Sequence, residues 1–265
     1  MSRPRFETSV TTQTEPRRSP YWGEHVARYR FAVPYLTDRR TLDVACGDGY
    51  GLPIIRERAA GVIGVDIDLN AARNARTELG EGPGQVVISD GCYLPFADAS
   101  FDAITSFETL EHLTDRDRFL AELRRVLKSE GILILSTPNA NHTLPINGKP
   151  RNPYHVHEYT PEELENKLSA YFAEVTMLGE TLNPRFLIPP FWDEQEKLSK
   201  QPGLRKHILF WRAMNKAPFG YLRDRVSRAL WGHRFLPSEA DYLFSTVEVN
   251  TASVLVAVCH KGSSV

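Results

Sequence analysis

The sequence predicts an α/β fold: a doubly wound, mainly parallel sheet of seven strands, with a helical lid inserted before the last strand. Two observations support this prediction. Short β-branched segments alternate with amphipathic stretches along residues 40–182, and strands joined by crossover helices form parallel sheets. The alternation fails from Asn183 onward and returns only in the segment ASVLVAVCH.

The first twenty residues are polar and contain prolines, so residues 1–20 are predicted to be flexible. Residues 21–182 are predicted to form the core domain, which opens with a helix over 21–36, where apolar side chains recur at helical spacing. The seven predicted strands lie in TLDVAC, VIGVD, QVVIS, FDAITSF, GILILST, FAEVTMLGE and ASVLVAVCH.

The crossover helices are predicted at about 50–59, at 69–79, and in DRDRFLAELRRVLK and TPEELENKLSAYF. Two of them begin with the spacing of a capping box, Thr114 with Asp117 and Thr160 with Glu163. In a doubly wound sheet the ligand crevice lies at the carboxyl ends of the strands. Polar residues that follow the strands are therefore the candidate site.

Residues 183–240 are predicted to form a helical lid rich in basic and aromatic side chains. Between 197 and 234, ten lysines and arginines accompany a single acid, Asp224. That stretch carries a formal charge of +9 and the rest of the chain −10. A solvated basic face, an anionic group on a substrate, or a membrane surface would each suit it. Residues 241–265 are predicted to return to the core with the final strand.

Composition limits the class of protein. The 265 residues are 42% hydrophobic, and no apolar run approaches the ~20 residues of a spanning helix or resembles a signal peptide. Cys46, Cys92 and Cys259 form no CxxC pair, which suits a reducing compartment. A cytoplasmic protein is predicted. The net charge of −1 makes a stable nucleic-acid partner unexpected, and the oligomeric state is left open.

A glycine-rich turn follows the first strand in LDVACGDGYG. Gly47 and Gly49 allow a tight turn and close approach of a ligand to the backbone. At the end of the second strand, GVDID supplies Asp66, whose carboxylate suits ribose hydroxyl groups; an acid that caps the next helix is the alternative. Dinucleotide-binding enzymes use G-x-G-x-x-G, whereas the spacing here is G-x-G-x-G, which argues against a dehydrogenase.

The segments LDVACGDGYG, GVDID, SDGCYLPFADASFD and SFETLEHL, in this order, resemble the class I S-adenosylmethionine-dependent methyltransferases over roughly residues 40–180. The resemblance implies a Rossmann-like fold and S-adenosyl-L-methionine as cofactor. It implies that Asp43 lies near the methionine end, that Asp66 binds the ribose and that Asp90 binds the adenine amine. The other cofactor contacts that it implies are Tyr21, Ala45, Gly47, Gly49, Ile67, Gly91, Cys92 and Phe107.

Acids and histidines gather after the fourth strand. A helical turn in SFETLEHL would bring Glu108, Glu111 and His112 onto one face, and the later segment NPYHVHEY offers His155. Two carboxylates and two imidazoles would neutralise a divalent cation and leave positions open for substrate oxygens. A Mg²⁺ or Mn²⁺ site of these four residues is predicted.

The ExxEH run also resembles two metal-dependent groups, the small-RNA 2′-O-methyltransferases and the O-methyltransferases of ubiquinone biosynthesis. Their TPN turn and their histidine before an E-[FWY] pair are matched by STPN, His155 and Glu158-Tyr159. His157 stands where an apolar residue is usual, so either histidine is a candidate ligand. There are two alternatives to a metal site: the cluster has a structural role, or His112 acts as a general base without a metal. The predicted catalytic residues are His112 and Glu111.

These features predict metal-assisted O-methylation of a hydroxyl group on a small glycosylated or polyhydroxylated metabolite, as in natural-product biosynthesis. Polar side chains suited to such an acceptor occur in the 139–157 loop, and they are Asn139, Asn141, His142, Asn147 and Asn152. The alternatives are N- or C-methylation with His112 as base, and a non-catalytic, cofactor-binding regulator.

Overall fold

A computed structural model describes residues 22–186 and 220–262. Tyr21, the predicted flexible segment 1–20 and residues 187–219 of the predicted lid lie outside the described residues. The described chain divides into two compact units. The first contains residues 28–181 and 243–262, and the second contains 22–27, 182–186 and 220–242.

The helices and strands follow the predicted alternation. The helices are α1 (Trp22–Ala32), α2 (Leu52–Arg56), α3 (Leu69–Leu79), α4 (Arg116–Val126), α5 (Ala140–Thr143), α6 (Pro161–Ser169) and α7 (Gly220–Trp231). The strands are β1 (Arg40–Val44), β2 (Gly61–Asp66), β3 (Gln85–Ile88), β4 (Phe101–Phe107), β5 (Leu127–Pro138), β6 (Glu174–Leu182), β7 (Tyr242–Ser245) and β8 (Val254–His260). Short 3₁₀ turns occupy Val33–Leu36, Leu110–His112 and Glu239–Asp241.

The strands form one sheet in the order β3-β2-β1-β4-β5-β8-β6-β7. Strands β1 to β5 run parallel to their neighbours within that set, and β8 is antiparallel to both β5 and β6. The predicted α/β, mainly parallel class is confirmed. The predicted count of seven strands is wrong, because Tyr242–Ser245 adds an eighth.

The order of the strands reverses at β1, which pairs with β2 on one side and with β4 on the other. Ligands of open α/β sheets bind at such a switch point, outside the carboxyl ends of the strands. Buried apolar side chains from the sheet and from α4 form the core beneath it, including Leu42, Ile104, Phe119, Leu123 and Leu133. The sheet therefore places the turns after β1, β2 and β4 at one edge.

Of the two capping boxes predicted from the sequence, one is present in the structure. The capping box at α6 is confirmed, because the Thr160 hydroxyl accepts from the Glu163 N–H and the Glu163 carboxylate accepts from the Thr160 N–H. At α4 the predicted Thr114 cap is wrong: Asp115 is the N-cap, and its Oδ1 accepts from the Arg118 N–H at 3.0 Å. Asp is the stronger N-cap of the two residue types.

In the second unit, α7 lies within the predicted lid segment. The buried Arg223 guanidinium lies 5.2 Å from the centre of the Phe235 ring, and Asp241 accepts hydrogen bonds from the backbone and hydroxyl of Ser238. The role of residues 183–240 as a lid stays a prediction. None of the helices described in the structure is long and apolar enough to span a membrane.

Candidate active site

The turn after β1 is built from residues in the left-handed region: φ is +60° at Ala45, +54° at Gly47 and +81° at Gly49. A Cβ on Gly49 would lie 2.4 Å from the Cα of Ala75, so α3 packs directly against the turn. A Cβ on Gly47 would meet no atom within 4 Å among the described residues. Gly47 therefore leaves open space beside the backbone.

Asp66 ties the end of β2 to this turn. Its Oδ2 accepts from the Gly47 N–H at 2.8 Å and its Oδ1 accepts from the Asp68 N–H at 2.9 Å. Burial raises the pKa of the Asp66 carboxyl. The helix cap considered as an alternative role belongs to Asp68, whose Oδ1 accepts from the N–H groups of Asn70 and Ala71 at the start of α3.

The residues predicted around the adenine lie after β2 and β3. Asp90 accepts from the Cys92 N–H at 2.8 Å, and burial raises the pKa of the Cys92 thiol to about 11. A Cβ on Gly91 would lie 2.7 Å from the Phe119 ring, so this glycine is required by packing on α4. Ile67 is 53% exposed, which leaves an apolar surface next to Asp66.

Asp43 is 1% exposed at the base of the turn. Its Oδ1 accepts from the Thr105 hydroxyl at 2.7 Å, and its Oδ2 accepts from the Tyr29 hydroxyl at 3.0 Å. Burial raises the pKa of the Asp43 carboxyl to about 7. The Tyr29 ring meets the rings of Phe107 and Tyr50 edge to face, with centres 4.9 and 5.4 Å away. The sequence did not predict the role of Tyr29, which is one of the apolar side chains at helical spacing in 21–36.

One side-chain atom from each of Glu111, His112 and His155 lies within 4.8 Å of the others. Glu111 is 1% exposed, and its Oε2 accepts from the Thr137 hydroxyl at 2.9 Å. Its Oε1 has no hydrogen-bond partner among the described residues and lies 3.8 Å from the His112 Nε2. Burial, followed by the charge of Glu108, raises the pKa of Glu111 well above the usual range.

The imidazole of His112 has a defined tautomer. Its Nδ1 lies 3.0 Å from the carbonyl oxygen of Tyr154. A carbonyl only accepts hydrogen bonds, so in the neutral ring Nδ1 carries the proton and Nε2 carries the lone pair. Burial lowers the pKa of His112, which favours this neutral form. The basic nitrogen is thus the one directed towards Glu111.

His155 has the same tautomer. Its Nε2 lies 2.9 Å from the Asn152 amide nitrogen, which donates, and its Nδ1 lies 2.6 Å from a Glu158 carboxylate oxygen, which accepts. The His157 Nε2 lies 4.0 Å from a Glu163 oxygen, and the His157 ring packs on Tyr159. Of the two histidines left open by the sequence, the structure places His155 beside His112.

Glu108, the fourth predicted ligand, lies apart from this group. Its Oε1 accepts from the Ser136 hydroxyl at 2.7 Å and lies 3.6 Å from the Arg28 guanidinium. Arg28 in turn pairs with Glu180 at 2.6 Å. The expected helical turn does not begin at 108, because Glu108 has a φ of +51°, an uncommon conformation for a residue other than glycine.

The polar side chains of the 139–157 loop divide into two kinds. Asn139 is 0% exposed, and its amide donates to the carbonyl oxygens of Val249 and Ala252. Asn139 therefore holds the backbone of the loop before β8, and the prediction that it binds an acceptor is wrong. Asn141, His142, Asn147 and Asn152 do not share this burial.

Comparison with known proteins identifies the family. Residues 42–135 match the family described as the methyltransferase domain. A Mycobacterium tuberculosis protein named as a probable S-adenosylmethionine-dependent methyltransferase is 36% identical over 185 residues, which are 67% of this chain and 67% of that protein. The chain belongs to the S-adenosylmethionine-dependent methyltransferases.

Two further proteins resemble this methyltransferase. The 27-O-demethylrifamycin SV methyltransferase of Amycolatopsis mediterranei is 33% identical over 133 residues, which are 43% of this chain and 48% of that protein. The crystal structure of the YcgJ protein from Bacillus subtilis has a TM-score of 0.58 at 19% identity and covers 91% of this chain and 100% of that chain. The latter likeness concerns the fold alone.

The cofactor of this family, S-adenosyl-L-methionine, suits the residues around β1 and β2. The open turn at Gly47 and the buried, oriented carboxylate of Asp66 fit a nucleoside with an amino-acid extension. Because hydrogen bonds to a charged group contribute about 1.5–3 kcal/mol each, Asp66→Ala should lower cofactor affinity at least ~tenfold in calorimetry.

Asp68→Ala is the matched control for Asp66→Ala. It removes the α3 cap and should cost about 1 kcal/mol of stability, but it should leave cofactor affinity unchanged. Equal affinities for Asp66→Ala and the unaltered protein would contradict the assignment of Asp66 to the cofactor.

Proposed function

We propose that this methyltransferase acts on a hydroxyl oxygen of a small polyhydroxylated or glycosylated metabolite, with His112 as the proton acceptor. The observation that carries the proposal is the His112 tautomer, which gives Nε2 the lone pair beside the buried carboxyl group of Glu111. The relative whose name specifies a 27-O-demethylated rifamycin supports an oxygen acceptor.

When bound, the cofactor supplies a methyl group that its sulfonium makes electrophilic. The protein has to orient the hydroxyl group and remove its proton, because an aliphatic alcohol does not ionise unaided at neutral pH. His112 Nε2 takes that proton. The imidazolium formed would lie 3.8 Å from the Glu111 Oε1, a carboxyl oxygen that has no other hydrogen-bond partner among the described residues.

We further propose a metal-assisted alternative at the same group, in which Glu111, His112 and His155 would hold a divalent cation. The Nε2 lone pair of His112 would then bind the cation instead of the proton, and the proton of the acceptor hydroxyl group would pass to solvent. Both imidazoles carry the lone pair on Nε2, and each Nδ1–H is held by an oxygen, from Tyr154 or Glu158. Such orientation by a second group is typical of metal-binding histidines. Asn152 would have to release His155, and Glu108 would join only by leaving Ser136.

A cation bound there would lower the pKa of a coordinated hydroxyl group. Electron paramagnetic resonance should detect tight Mn²⁺ binding by the unaltered protein and its loss in Glu111→Ala and His155→Ala. His157→Ala is the matched control, because it removes a neighbouring imidazole outside the group, and it should bind Mn²⁺ normally. No acceptor is needed for this measurement.

The activity test uses a panel of glycosides and polyols, with mass spectrometry to find and locate the added methyl group. If the cation-assisted mode operates, chelation should abolish turnover and leave cofactor binding nearly intact, and Mg²⁺ or Mn²⁺ should restore it. Full activity in excess chelator, with no Mn²⁺ signal, would rule out the cation and leave His112 as the sole base. Methylation confined to nitrogen or carbon would refute the hydroxyl acceptor.

A further inference from the structure

Helix α7, in the second unit, has polar side chains on its inner face. Arg223 is 6% exposed and Ser227 is 0% exposed. The Arg223 guanidinium donates to the Asp224 carboxylate at 3.0 Å and lies against the Phe235 ring. The Ser227 hydroxyl donates to the carbonyl oxygen of His233 at 3.0 Å. The buried side of this helix is therefore held by hydrogen bonds and charge.

The outer face of α7 carries apolar side chains. Leu222 and Leu230 are 51% and 65% exposed, and the partly exposed Val226 stands midway between them in the sequence. Side chains four positions apart lie one above the other on a helix, so these three form an apolar ridge along α7. Single exposed leucines are common on protein surfaces, but an aligned row of apolar side chains marks an interaction surface.

Positive charge borders the apolar ridge. Arg225 and Arg228 are exposed, and their positions on the helix place both along the same side of the ridge. Residues 197–234 contain ten basic residues and one acid, Asp224. That acid is bonded to Arg223. Within this stretch, the one carboxylate that could offset the two exposed arginines is therefore already paired with another.

We propose that the outer face of α7 docks onto an anionic lipid surface, with the apolar ridge against the acyl chains and the two arginines at the lipid phosphate groups. A helix that lies in the plane of a membrane surface combines an apolar face with basic side chains beside it. The 12 residues of α7 are too few to cross a bilayer, which takes about 20. The helix would therefore lie on the membrane.

Two other partners suit this face less well. Nucleic acid offers phosphate groups to Arg225 and Arg228, but it would leave the leucines of the ridge in water. In a two-fold symmetric dimer the face would meet its own copy, which brings the arginines of one protomer close to those of the other. Like charges brought together in an interface are costly. An anionic lipid surface offers a partner to both kinds of side chain.

The test is co-sedimentation of the full chain with vesicles of phosphatidylcholine, alone or mixed with phosphatidylglycerol. The protein should bind the mixed vesicles more tightly than the neutral ones, and added salt should weaken that binding. Leu222→Ser combined with Leu230→Ser should lower affinity for the mixed vesicles at least ~tenfold, because the leucines no longer leave water. Arg225→Gln combined with Arg228→Gln should lower it by about fivefold for each charge.

Matched controls are available outside α7. Val247→Ser removes an apolar side chain that is 88% exposed, and Arg73→Gln with Arg76→Gln removes two exposed arginines with the same spacing on α3. All three substitutions should leave vesicle binding unchanged.

Equal binding to the two kinds of vesicle, no binding to either, or undiminished binding by Leu222→Ser with Leu230→Ser would overturn the proposal. A dimer that this double variant loses, without vesicle binding by the unaltered protein, would assign the ridge to a second copy instead. Because the experiment uses neither cofactor nor acceptor, its result is independent of the proposed hydroxyl chemistry.

Discussion

His112→Gln should slow methyl transfer by at least ~100-fold while leaving cofactor affinity within about twofold. General base catalysis contributes roughly 10²–10⁴ in rate, and glutamine keeps a polar side chain but has no lone pair of comparable basicity. Single-turnover transfer from labelled cofactor, together with calorimetry, measures both quantities. In the unaltered enzyme the rate should fall as pH drops through the His112 pKa, which burial lowers, because the protonated imidazole cannot accept a proton.

His157→Gln is the matched control for this experiment, because His157 is the neighbouring loop histidine outside the group. It should retain nearly full activity. Undiminished transfer by His112→Gln would refute both roles proposed for His112, general base and metal ligand. A His112→Gln protein that no longer binds the cofactor would show instead that the residue supports the structure of the site.

Glu180→Ala should lower the free energy of unfolding by about 3–5 kcal/mol. The Arg28 and Glu180 side chains are 1% and 0% exposed and meet at 2.6 Å, so the substitution removes one member of a buried ion pair and leaves the guanidinium buried. Removing one partner of a buried ion pair is costly, because the other charge stays out of water. Urea unfolding followed by circular dichroism measures the loss.

The exposed ion pair between Arg30, on the same helix α1, and Glu57, directly after α2, offers a control. Its side chains are 44% and 50% exposed, and exposed ion pairs contribute about 0–1 kcal/mol, so Glu57→Ala should change stability little. The double substitution Arg28→Leu and Glu180→Leu should recover much of the loss, because it removes both charges. A loss under about 1 kcal/mol for Glu180→Ala would contradict the importance of the buried pair.

The sequence predicted correctly those features that depend on local patterns of residues. The alternation of strand and helix periods predicted the class of fold, and α3 has the predicted bounds of 69–79. The glycine turn and Asp66 were recognised from their spacing, and the structure joins them by a hydrogen bond at 2.8 Å. Each of these features depends on residues close together in the chain or on the regular order of strands.

Other features of the site depend on tertiary contacts that leave no local pattern. Arg28 and Glu180 are 152 positions apart, and nothing near either residue in the sequence points to the other. The positive φ of Glu108 could not be predicted from the sequence either, because glutamate rarely adopts this backbone conformation. Asn139 was predicted to bind an acceptor because it lies in a polar loop. Its amide group is instead buried against Ala252, which lies more than a hundred residues later in the chain.

Strand β8 lies between β5 and β6, although the ribosome makes it after both. Until residues 254–260 have emerged, β5 and β6 each present an edge of unpaired N–H and C=O groups, and such edges invite pairing with other chains. Strands β1 to β5 are contiguous in the sheet and are made first, so the half that carries the glycine turn can form during synthesis. A chain stalled before β8 would have two open edges, which makes it a natural target for chaperones.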